Sequence, residues 1–372
     1  MSTEMPPPSP RLLSLDALRG FDMFWIIGGE WMVETLYKRW PSPTFEAIAV
    51  QFTSHQEWAG FRYYDCIFPL FLFIIGATLP YSIGRRLEKG VSKSEILKKV
   101  FTRFLWLTLF GLFINGLPRR EGWDHLRLFG VLQRQAFGYV AAALIYLYTK
   151  PKTQLALIPI ILLAYWALMA WVPVPGFPRG TYTPEGNVAN YVDRLVLLPH
   201  QLYQPYGDPE GPLSNLPSIA TALIGLLAGI YLKQSTDREA KKAGLLAGAG
   251  VLLFALGWLW NPLFPVIKKI WTSSFVCVAG GLSLVLLALF YYILDIKKWR
   301  WGSIVFVIIG MNAITAYMGA AIIPFDEIAM KFLEGVVRLH PEYKELCRSF
   351  GSMFFTLLAL WGLYKKDVFL RV

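Results

Sequence analysis

The residues of this sequence that are best suited to chemistry surround one histidine, His55. It lies in the segment SHQEWAGFRYYDCIFPLF, where Glu57 follows two residues later and Asp65 ten residues later. A neutral imidazole that is oriented by a carboxylate can take a proton from an amine or a hydroxyl group. Histidines in loops are more often surface residues, and we interpret the other three histidines of the chain in that way. For His55, the aromatic setting and the two carboxylates favour a general base.

A second set of polar residues lies in the apolar stretch SLDALRGFDMFWIIGGEW near the start of the chain. Asp16, Arg19 and Asp22 are spaced three residues apart, so they share one face of a helix. This face predicts either an ion-paired cluster that locks helix packing or a site where Arg19 binds an anionic ligand. Glu30 lies at the far end of the same stretch, after two glycines that permit close helix approach.

Arg134 and Asn312 are two further polar residues inside apolar stretches. Polar groups at membrane depth cost free energy, and they often mark functional sites. For Arg134, a structural ion pair and a ligand contact both remain open. No GxGxxG, Walker, HExxH or GxSxG motif occurs in a usable context. The sequence therefore gives no support to a nucleotide-dependent dehydrogenase, an ATPase, a zinc protease or a serine hydrolase.

The composition predicts the elements that must position these residues. The chain has 372 residues, of which 55% are hydrophobic and only 16% are charged. Soluble proteins carry about 25% charged residues, whereas a membrane span needs about 20 apolar ones in succession. Strand-like alternation is absent, so we predict an all-α, polytopic transmembrane bundle of about ten helices. Its apolar runs cover residues 15–33, 63–83, 100–116, 128–148, 155–171, 216–232, 245–260, 272–294, 302–323 and 350–364.

The net charge of +11 is interpreted through membrane topology and contacts to anionic lipids rather than nucleic-acid binding. The loop at residues 85–103 is rich in Lys and Arg, which predicts that it lies in the cytoplasm together with both termini. Residues 1–14 then form a cytoplasmic tail. Residues 15–372 form one transmembrane domain, with long non-cytoplasmic loops at 34–62 and 172–215. The three cysteines have neither disulfide nor metal-ligand spacing, so we predict no metal site.

Taken together, these segments resemble the heparan-α-glucosaminide N-acetyltransferase family of transmembrane acyltransferases and its bacterial relatives. The most specific block is H-x-x-W-x-G-x-x-x-x-D-x-x-F-P-x-F-x-F-I-x-G over residues 55–76. The other blocks are SLDALRG, GVLQR at residues 130–134, NVANYVDRLVL, DPEGPLSNLPSIATALIGLLAG and GMNAI. They occur in order and cover nearly the whole chain, which makes chance similarity an inadequate explanation.

The resemblance implies that acetyl is transferred from cytoplasmic acetyl-CoA, as acyl-donor substrate, to the amino group of a glucosamine-type sugar across the membrane. His55 falls on the family's proposed catalytic histidine, and we assign Asp65 and Glu30 to the catalytic group with it. His55 acts either as a base in direct transfer, which we favour, or as a nucleophile that is itself acetylated. The expected acetyl-CoA-binding residues are Asp16, Arg19, Arg134 and Asn312.

The chain departs from the animal enzyme of this family in ways that leave the acceptor open. We expect it to lack the large luminal N-terminal region, Glu30 stands where that enzyme has an asparagine, and Asp22 adds a charge at an apolar position. Two other functions remain as alternatives: an O-acyltransferase of envelope glycan or lipid, and a sugar or anion transporter. The expected partners are an amino-sugar acceptor and membrane lipids, without nucleic acid and with a homodimer left open. The expected location is the inner membrane of a bacterium.

Overall fold

A computed structural model describes residues 12–116 and 126–369, and within these two ranges the chain is helical without any β-strand. The prediction of an all-α, polytopic helical fold is confirmed. Most of the predicted tail, residues 1–11, lies outside the described ranges, as do residues 370–372, so the location of the termini stays a prediction. The helices of the described part are α1 (Leu13–Phe24), α2 (Glu30–Arg39), α3 (Pro43–Thr53), α4 (Ile67–Glu88), α5 (Lys93–Ile114), α6 (Val131–Tyr148), α7 (Pro151–Trp171), α8 (Val188–Val196), α9 (Asn215–Gln234), α10 (Glu239–Trp260), α11 (Ser273–Tyr291), α12 (Ser303–Met311), α13 (Ala313–Ile322), α14 (Phe325–Leu339) and α15 (Lys344–Lys365).

Within the described residues, six helical segments are long and apolar enough to cross a membrane. The bent pair α12 and α13, whose axes meet at 81° beside Asn312, would form a seventh span. Each of the ten predicted apolar runs overlaps one or more helices, but the predicted count of about ten spans stays a prediction. The six segments are Tyr63–Glu88, Pro151–Trp171, Asn215–Gln234, Glu239–Trp260, Ser273–Ile296 and Pro341–Lys365.

Glycines allow the two central helices, α4 and α9, to pack with their backbones in contact. A Cβ atom on Gly76 of α4 would lie 1.9 Å from the Ala222 carbonyl oxygen of α9. Conversely, a Cβ atom on Gly225 of α9 would lie 1.9 Å from the Phe73 carbonyl oxygen of α4. Small residues at four-residue spacing permit such close approach in membrane helices, and Gly229 continues the pattern. The two helices that begin at the candidate site are thereby fixed against each other.

Polar contacts show which helix ends lie together at the end of the bundle remote from His55. Lys233, near the end of α9, donates a hydrogen bond of 2.6 Å to Glu88 at the end of α4. The backbone amides of Leu13 and Ser14, at the start of α1, donate to the carboxylate of Asp295, which follows α11. Because α4 and α11 both begin near His55, we call the His55 end the site end and the other the opposite end. The basic loop after α4 lies at the opposite end.

The two long loops fold into a structured cover over the site end, which we call the cap (residues 40–62 and 172–214). The first part carries α3 and the second carries α8. Residues of α8 pack with Tyr165, Phe264 and Ile267 in a separate hydrophobic cluster. The indole Nε1 of Trp58 donates a hydrogen bond of 2.8 Å to the carbonyl oxygen of Tyr182 and so joins the two parts. The cap therefore has its own small core, which is uncommon for simple connecting segments.

Candidate active site

A cavity of about 480 Å³ opens between the cap and the helix ends at the site end. Its volume lies within the range of small-molecule sites, and such sites combine apolar walls with a few convergent polar groups. Side chains from the cap, from α4 and α6, and from the connection between α10 and α11 line this cavity. Among them are His55, Glu57, Arg127, Arg134, Glu210, Lys268 and Trp271.

The imidazole of His55 is held by the carboxylate of Asp65, with a distance of 2.9 Å between Nδ1 and Oδ1. Asp65 is fully buried in the first turn before α4 and also accepts hydrogen bonds from the backbone amides of Gln56 and Arg62. Because Nδ1 faces a carboxylate, the neutral ring carries its proton there, and Nε2 is the nitrogen with a lone pair that can accept a proton. Glu57 lines the same cavity, but the described contacts include no hydrogen bond between Glu57 and His55.

Lys268 is a third member of this group that the sequence analysis did not single out. Its Nζ lies 2.8 Å from Nδ1 and 3.1 Å from Nε2 of His55, and 3.6 Å from Oδ1 of Asp65. Lys268 belongs to the segment PVIKKIW between α10 and α11, 213 positions after the histidine. The only sequence signal is a pair of lysines within a short and otherwise apolar connection. That pattern gives no distance to His55.

The surroundings of His55 favour its neutral form. Desolvation within the site lowers the pKa of His55 from its usual value of 6.5, and the ammonium group of Lys268 acts in the same direction. The hydrogen bond and the charge of Asp65 oppose this shift without reversing it. The side chain still keeps 48% of its surface exposed, so a small molecule in the cavity can reach it. At neutral pH the ring is therefore an accessible base.

Glu30 reaches the site through a tyrosine rather than by direct contact with the histidine. The ring of Tyr64 packs on the imidazole of His55, with 4.6 Å between centroids and 30° between planes. The phenol hydroxyl of Tyr64 lies near the carboxylate of Glu30 and interacts with it. Glu30 begins α2, directly after the π-helical turn Trp25–Gly29, in which Gly28 has a φ of 141° that only glycine adopts easily. Glu30 thus acts on His55 indirectly, through Tyr64.

Arg134 lies in the cavity wall near the start of α6 and is almost fully buried. Its guanidinium group donates to Asn215 and to the carbonyl oxygen of Pro209, and it also bonds to the hydroxyl of Ser214. It lies 4.5 Å from the ring centroid of Trp271. These direct partners are all neutral, so among the described residues Arg134 forms no ion pair, which was one of the two alternatives left open for it. Its Nη1 atom has no hydrogen-bond partner among the described residues and lies on the wall of a site suited to an electron-rich ligand group.

A second arginine fixes the cap above the cavity. Arg127 donates two hydrogen bonds of 2.8 and 2.7 Å to the carboxylate of Asp208 and bonds to Glu210. The backbone amide of Asp208 in turn donates to Asp193 of α8, where burial raises the pKa of the Asp193 carboxyl to about 7. These contacts tie the cap to the segment that precedes α6. No sequence motif marked Arg127 as a residue of the site.

The other residues expected to bind the donor do not line this cavity. Arg19 lies 3.4 Å from Asp16 and 3.5 Å from the carbonyl oxygen of Gly310, where α1 packs against α12. Asn312 lies at the bend between α12 and α13, and its buried amide atoms have no hydrogen-bond partner among the described residues. The carboxylate of Asp22 is likewise buried without one. His55, Asp65, Glu30 and Arg134 therefore meet at the site end, whereas Asp16, Arg19 and Asn312 do not join them.

The chain resembles known proteins over most of its length. Residues 11–257 match the family described as heparan-alpha-glucosaminide N-acetyltransferase, catalytic. The chain belongs to this family. Together with the long apolar helices, membership in this transmembrane family makes the chain an integral membrane protein. The resemblance inferred from the motifs is confirmed, and Lys268 lies beyond the matched range.

Two relatives define how far the similarity extends. The heparan-alpha-glucosaminide N-acetyltransferase of Homo sapiens is 27% identical over 421 residues, which cover 98% of this chain and 60% of the human protein. The protein of the same name from Mus musculus is 27% identical over 372 residues, which cover 86% of this chain and 56% of the mouse protein. The chain thus spans less than two thirds of the length of these relatives. Within residues 12–116 and 126–369, no group of three or more His, Cys, Asp or Glu side chains is arranged to hold a metal ion.

The partners of Arg134 generate a prediction about stability. Replacing Arg134 with Ala removes the donor to the buried Oδ1 of Asn215 and leaves the carbonyl oxygen of Pro209 only the longer bond of 3.2 Å from the Ser214 hydroxyl. A buried acceptor without its donor costs about 1–3 kcal/mol. We expect the thermal unfolding midpoint of the purified protein in detergent to fall. Arg338→Ala, on the exposed surface of α14, is the control and should leave the midpoint unchanged. Equal midpoints for Arg134→Ala and the wild type would show that these hydrogen bonds do not stabilise the cap.

Proposed function

We propose that this protein is a membrane-embedded acetyltransferase that moves acetyl from acetyl-CoA to the amino group of a glucosamine-type sugar. The observation that carries the proposal is the cavity-facing imidazole of His55, whose Nδ1 is bound to buried Asp65, while Nε2 lies 3.1 Å from the ammonium nitrogen of Lys268. The family of the chain supports the reaction type, because its human and mouse members are named heparan-alpha-glucosaminide N-acetyltransferases. The identity of the acceptor rests on those names and on the aromatic side chains that line the cavity.

In the proposed reaction, His55 acts as general base and then as general acid. The acceptor nitrogen attacks the thioester carbon, and Nε2 takes the proton that the amine loses. The new carbon–nitrogen bond forms, the carbon–sulfur bond breaks, and the proton passes from the imidazolium to the departing thiolate. The products are the acetamide of the sugar and free CoA thiol. Asp65 stabilises the imidazolium while it exists, as a buried carboxylate does in other histidine-dependent transfers.

Direct transfer is the course that we propose over an acetylated histidine. An acetyl-imidazole would stand in a cavity that remains open to small molecules, where water would compete with the acceptor. Ping-pong transfer would require stable labelling of His55 by acetyl-CoA alone. Direct transfer predicts no labelled protein before the acceptor is added.

The cavity offers separate contacts for acceptor and donor. The rings of Tyr64, Tyr203 and Trp271 line it and can pack against a sugar ring, and the carboxylate of Glu57 can attract an amino group. Nη1 of Arg134, which has no partner among the described residues, can donate a hydrogen bond to an oxygen of acetyl-CoA near its thioester. We propose that Asp16 and Arg19 contact acetyl-CoA nearer the opposite end. The path of the donor from there to the cavity would pass Asn312.

The proposed sidedness follows from the two ends of the bundle. The basic loop after α4 lies at the opposite end, and lysine and arginine favour the cytoplasmic side. His55 and the cap would then face away from the cytoplasm, so the pantetheine arm of the donor must enter a hydrocarbon core of roughly 30 Å. The exposed apolar faces of α7 and α10 would contact lipids or a second copy in a homodimer. The expected membrane is the inner membrane of a bacterium.

The first prediction from this proposal concerns His55. His55→Ala should lower turnover of acetyl-CoA with glucosamine by about 10²–10⁴-fold, because the general base is lost. Binding of acetyl-CoA, followed by calorimetry in detergent, should remain. His340→Ala is the matched control, since His340 lies on the surface, where it pairs with nearby Glu342. Wild-type turnover in a folded His55→Ala protein would refute the proposed mechanism.

The second prediction concerns the two faces of the membrane. In proteoliposomes with one known orientation, acetyl-CoA should support transfer only from the face of the basic loop after α4. The amino sugar should react only from the face of the cap. The measurement is radiolabelled acetyl transfer with each substrate confined to one side. Full activity with both substrates on one face would contradict transfer across the membrane, although it would leave the acetyltransferase assignment intact.

A further inference from the structure

The backbone around Lys268 is fixed more firmly than that of an ordinary loop. Its neighbours Ile267 and Trp271 are both 1% exposed. The Trp271 amide donates to the Lys268 carbonyl oxygen at 2.9 Å, and the Ile267 amide donates to the hydroxyl of Thr272 at 3.0 Å. From the cap, the Gly60 amide donates to the Val266 carbonyl oxygen at 2.8 Å, two residues before Lys268. This connection therefore holds Lys268 in a preset position beside the cavity.

The side chain of Lys268 is directed into the catalytic group. Its ammonium nitrogen contacts both ring nitrogens of His55, at 2.8 and 3.1 Å, while its distance to the carboxylate of Asp65 is longer, at 3.6 Å. Only 17% of the side chain is exposed, and that part lines the cavity. The ammonium group thus has a long ion pair in the free protein and faces the space where substrates would bind.

We propose that Lys268 is a further catalytic residue, whose ammonium group stabilises the negative charge that develops on the acetyl carbonyl oxygen during transfer. This inference rests on the proposed function. For His55 to act as base, its Nε2 must lie within about 2.6–3.2 Å of the attacking amine nitrogen. The carbonyl oxygen is bonded to the carbon under attack, so it lies within a few ångströms of Nε2. The Lys268 Nζ atom, 3.1 Å from Nε2, occupies that neighbourhood.

Lys268 takes part without changing its own bonds. As the amine attacks, the electron pair of the carbonyl double bond moves to oxygen, and the ammonium group donates a hydrogen bond to that oxygen. When the carbon–sulfur bond breaks, the pair returns and the carbonyl reforms. The proton of the amine travels through His55, and Lys268 keeps its own proton throughout. A positioned charge of this kind acts only where charge appears, so it raises kcat more than it alters KM.

The charge state of Lys268 supplies a signature in the pH profile. Burial lowers the pKa of Lys268 to about 8, against the opposing charges of Asp65 and Glu210. Cys66 also raises the pKa of Lys268. The titratable groups that act on His55 are Asp65, Lys268 and Glu210. Below about pH 8 the ammonium form predominates, and above it the stabilising charge is lost. We therefore expect kcat to fall as the pH rises through this range.

The test compares Lys268→Met and Lys268→Arg with the wild type, using acetyl-CoA and glucosamine in detergent. Lys268→Met should lower kcat at pH 7 by about 10²–10³-fold, the usual cost of losing an oxyanion donor, with little change in the KM for acetyl-CoA. The kcat of Lys268→Arg should be at least about tenfold higher than that of Lys268→Met, because arginine supplies a charge that does not titrate in this range. Its kcat should therefore show no fall near pH 8. Lys242→Met, which removes a buried lysine at the opposite end, is the control for loss of a buried amine.

Three results would contradict the proposed role of Lys268. Near wild-type kcat in Lys268→Met, an arginine variant no better than the methionine variant, or an unchanged alkaline fall in Lys268→Arg would overturn the role of Lys268. If Lys268→Met does not fold, the pH profile of Lys268→Arg decides alone. Failure of the wild-type protein to transfer acetyl to any amine would instead refute the proposed function, and the inference with it.

Discussion

A single buried carboxylate, that of Asp65, holds the candidate site together. Removing an ionised carboxylate from water costs far more free energy than one hydrogen bond returns, so such a group needs several donors. Asp65 meets this need with the imidazole of His55, two backbone amides and the more distant ammonium group of Lys268. These donors come from the first part of the cap and from the connection between α10 and α11. The orientation of the imidazole, the position of the lysine and the start of α4 therefore depend on one side chain.

The packing of the helices places this carboxylate at the edge of the membrane-spanning bundle rather than in its middle. The glycine contacts of Gly76 and Gly225 fix α4 against α9, and the beginnings of both helices form part of the site. Above them the cap has its own core, which keeps the cavity shaped while leaving it open to small molecules. Two buried polar groups at different depths, the amide of Asn312 and Nη1 of Arg134, have no protein partner among the described residues. Unsatisfied groups of this kind cost free energy, and polar atoms of a donor such as acetyl-CoA would remove that cost in our proposal.

The sequence predicts the helical fold and the pair of His55 and Asp65 for a local reason. A long, continuous apolar run crosses lipid as a helix. His55 and Asp65 are only ten residues apart, so both belong to one compact motif. Lys268 lies 213 positions from His55, and Arg127 lies 81 positions from Asp208. Only tertiary packing brings the residues of each pair together. For Arg134, the sequence indicated a need for partners but could not show that neutral groups supply them. Asp16 and Arg19 share a helical face as expected, but no sequence pattern reveals that this face packs on α12 instead of lining the cavity.

The central claim is that acetyl transfer takes place at the imidazole of His55. The most direct measurement is an electron cryomicroscopy structure of the protein in lipid nanodiscs with a bisubstrate analogue, in which CoA is joined through the acetyl group to the nitrogen of glucosamine. Our account predicts that the analogue nitrogen lies within about 3.2 Å of the Nε2 atom of His55. It also predicts that the acyl oxygen lies about 2.7–3.1 Å from the Nζ atom of Lys268. An acyl group bound outside this cavity, with no contact to His55, would contradict the account.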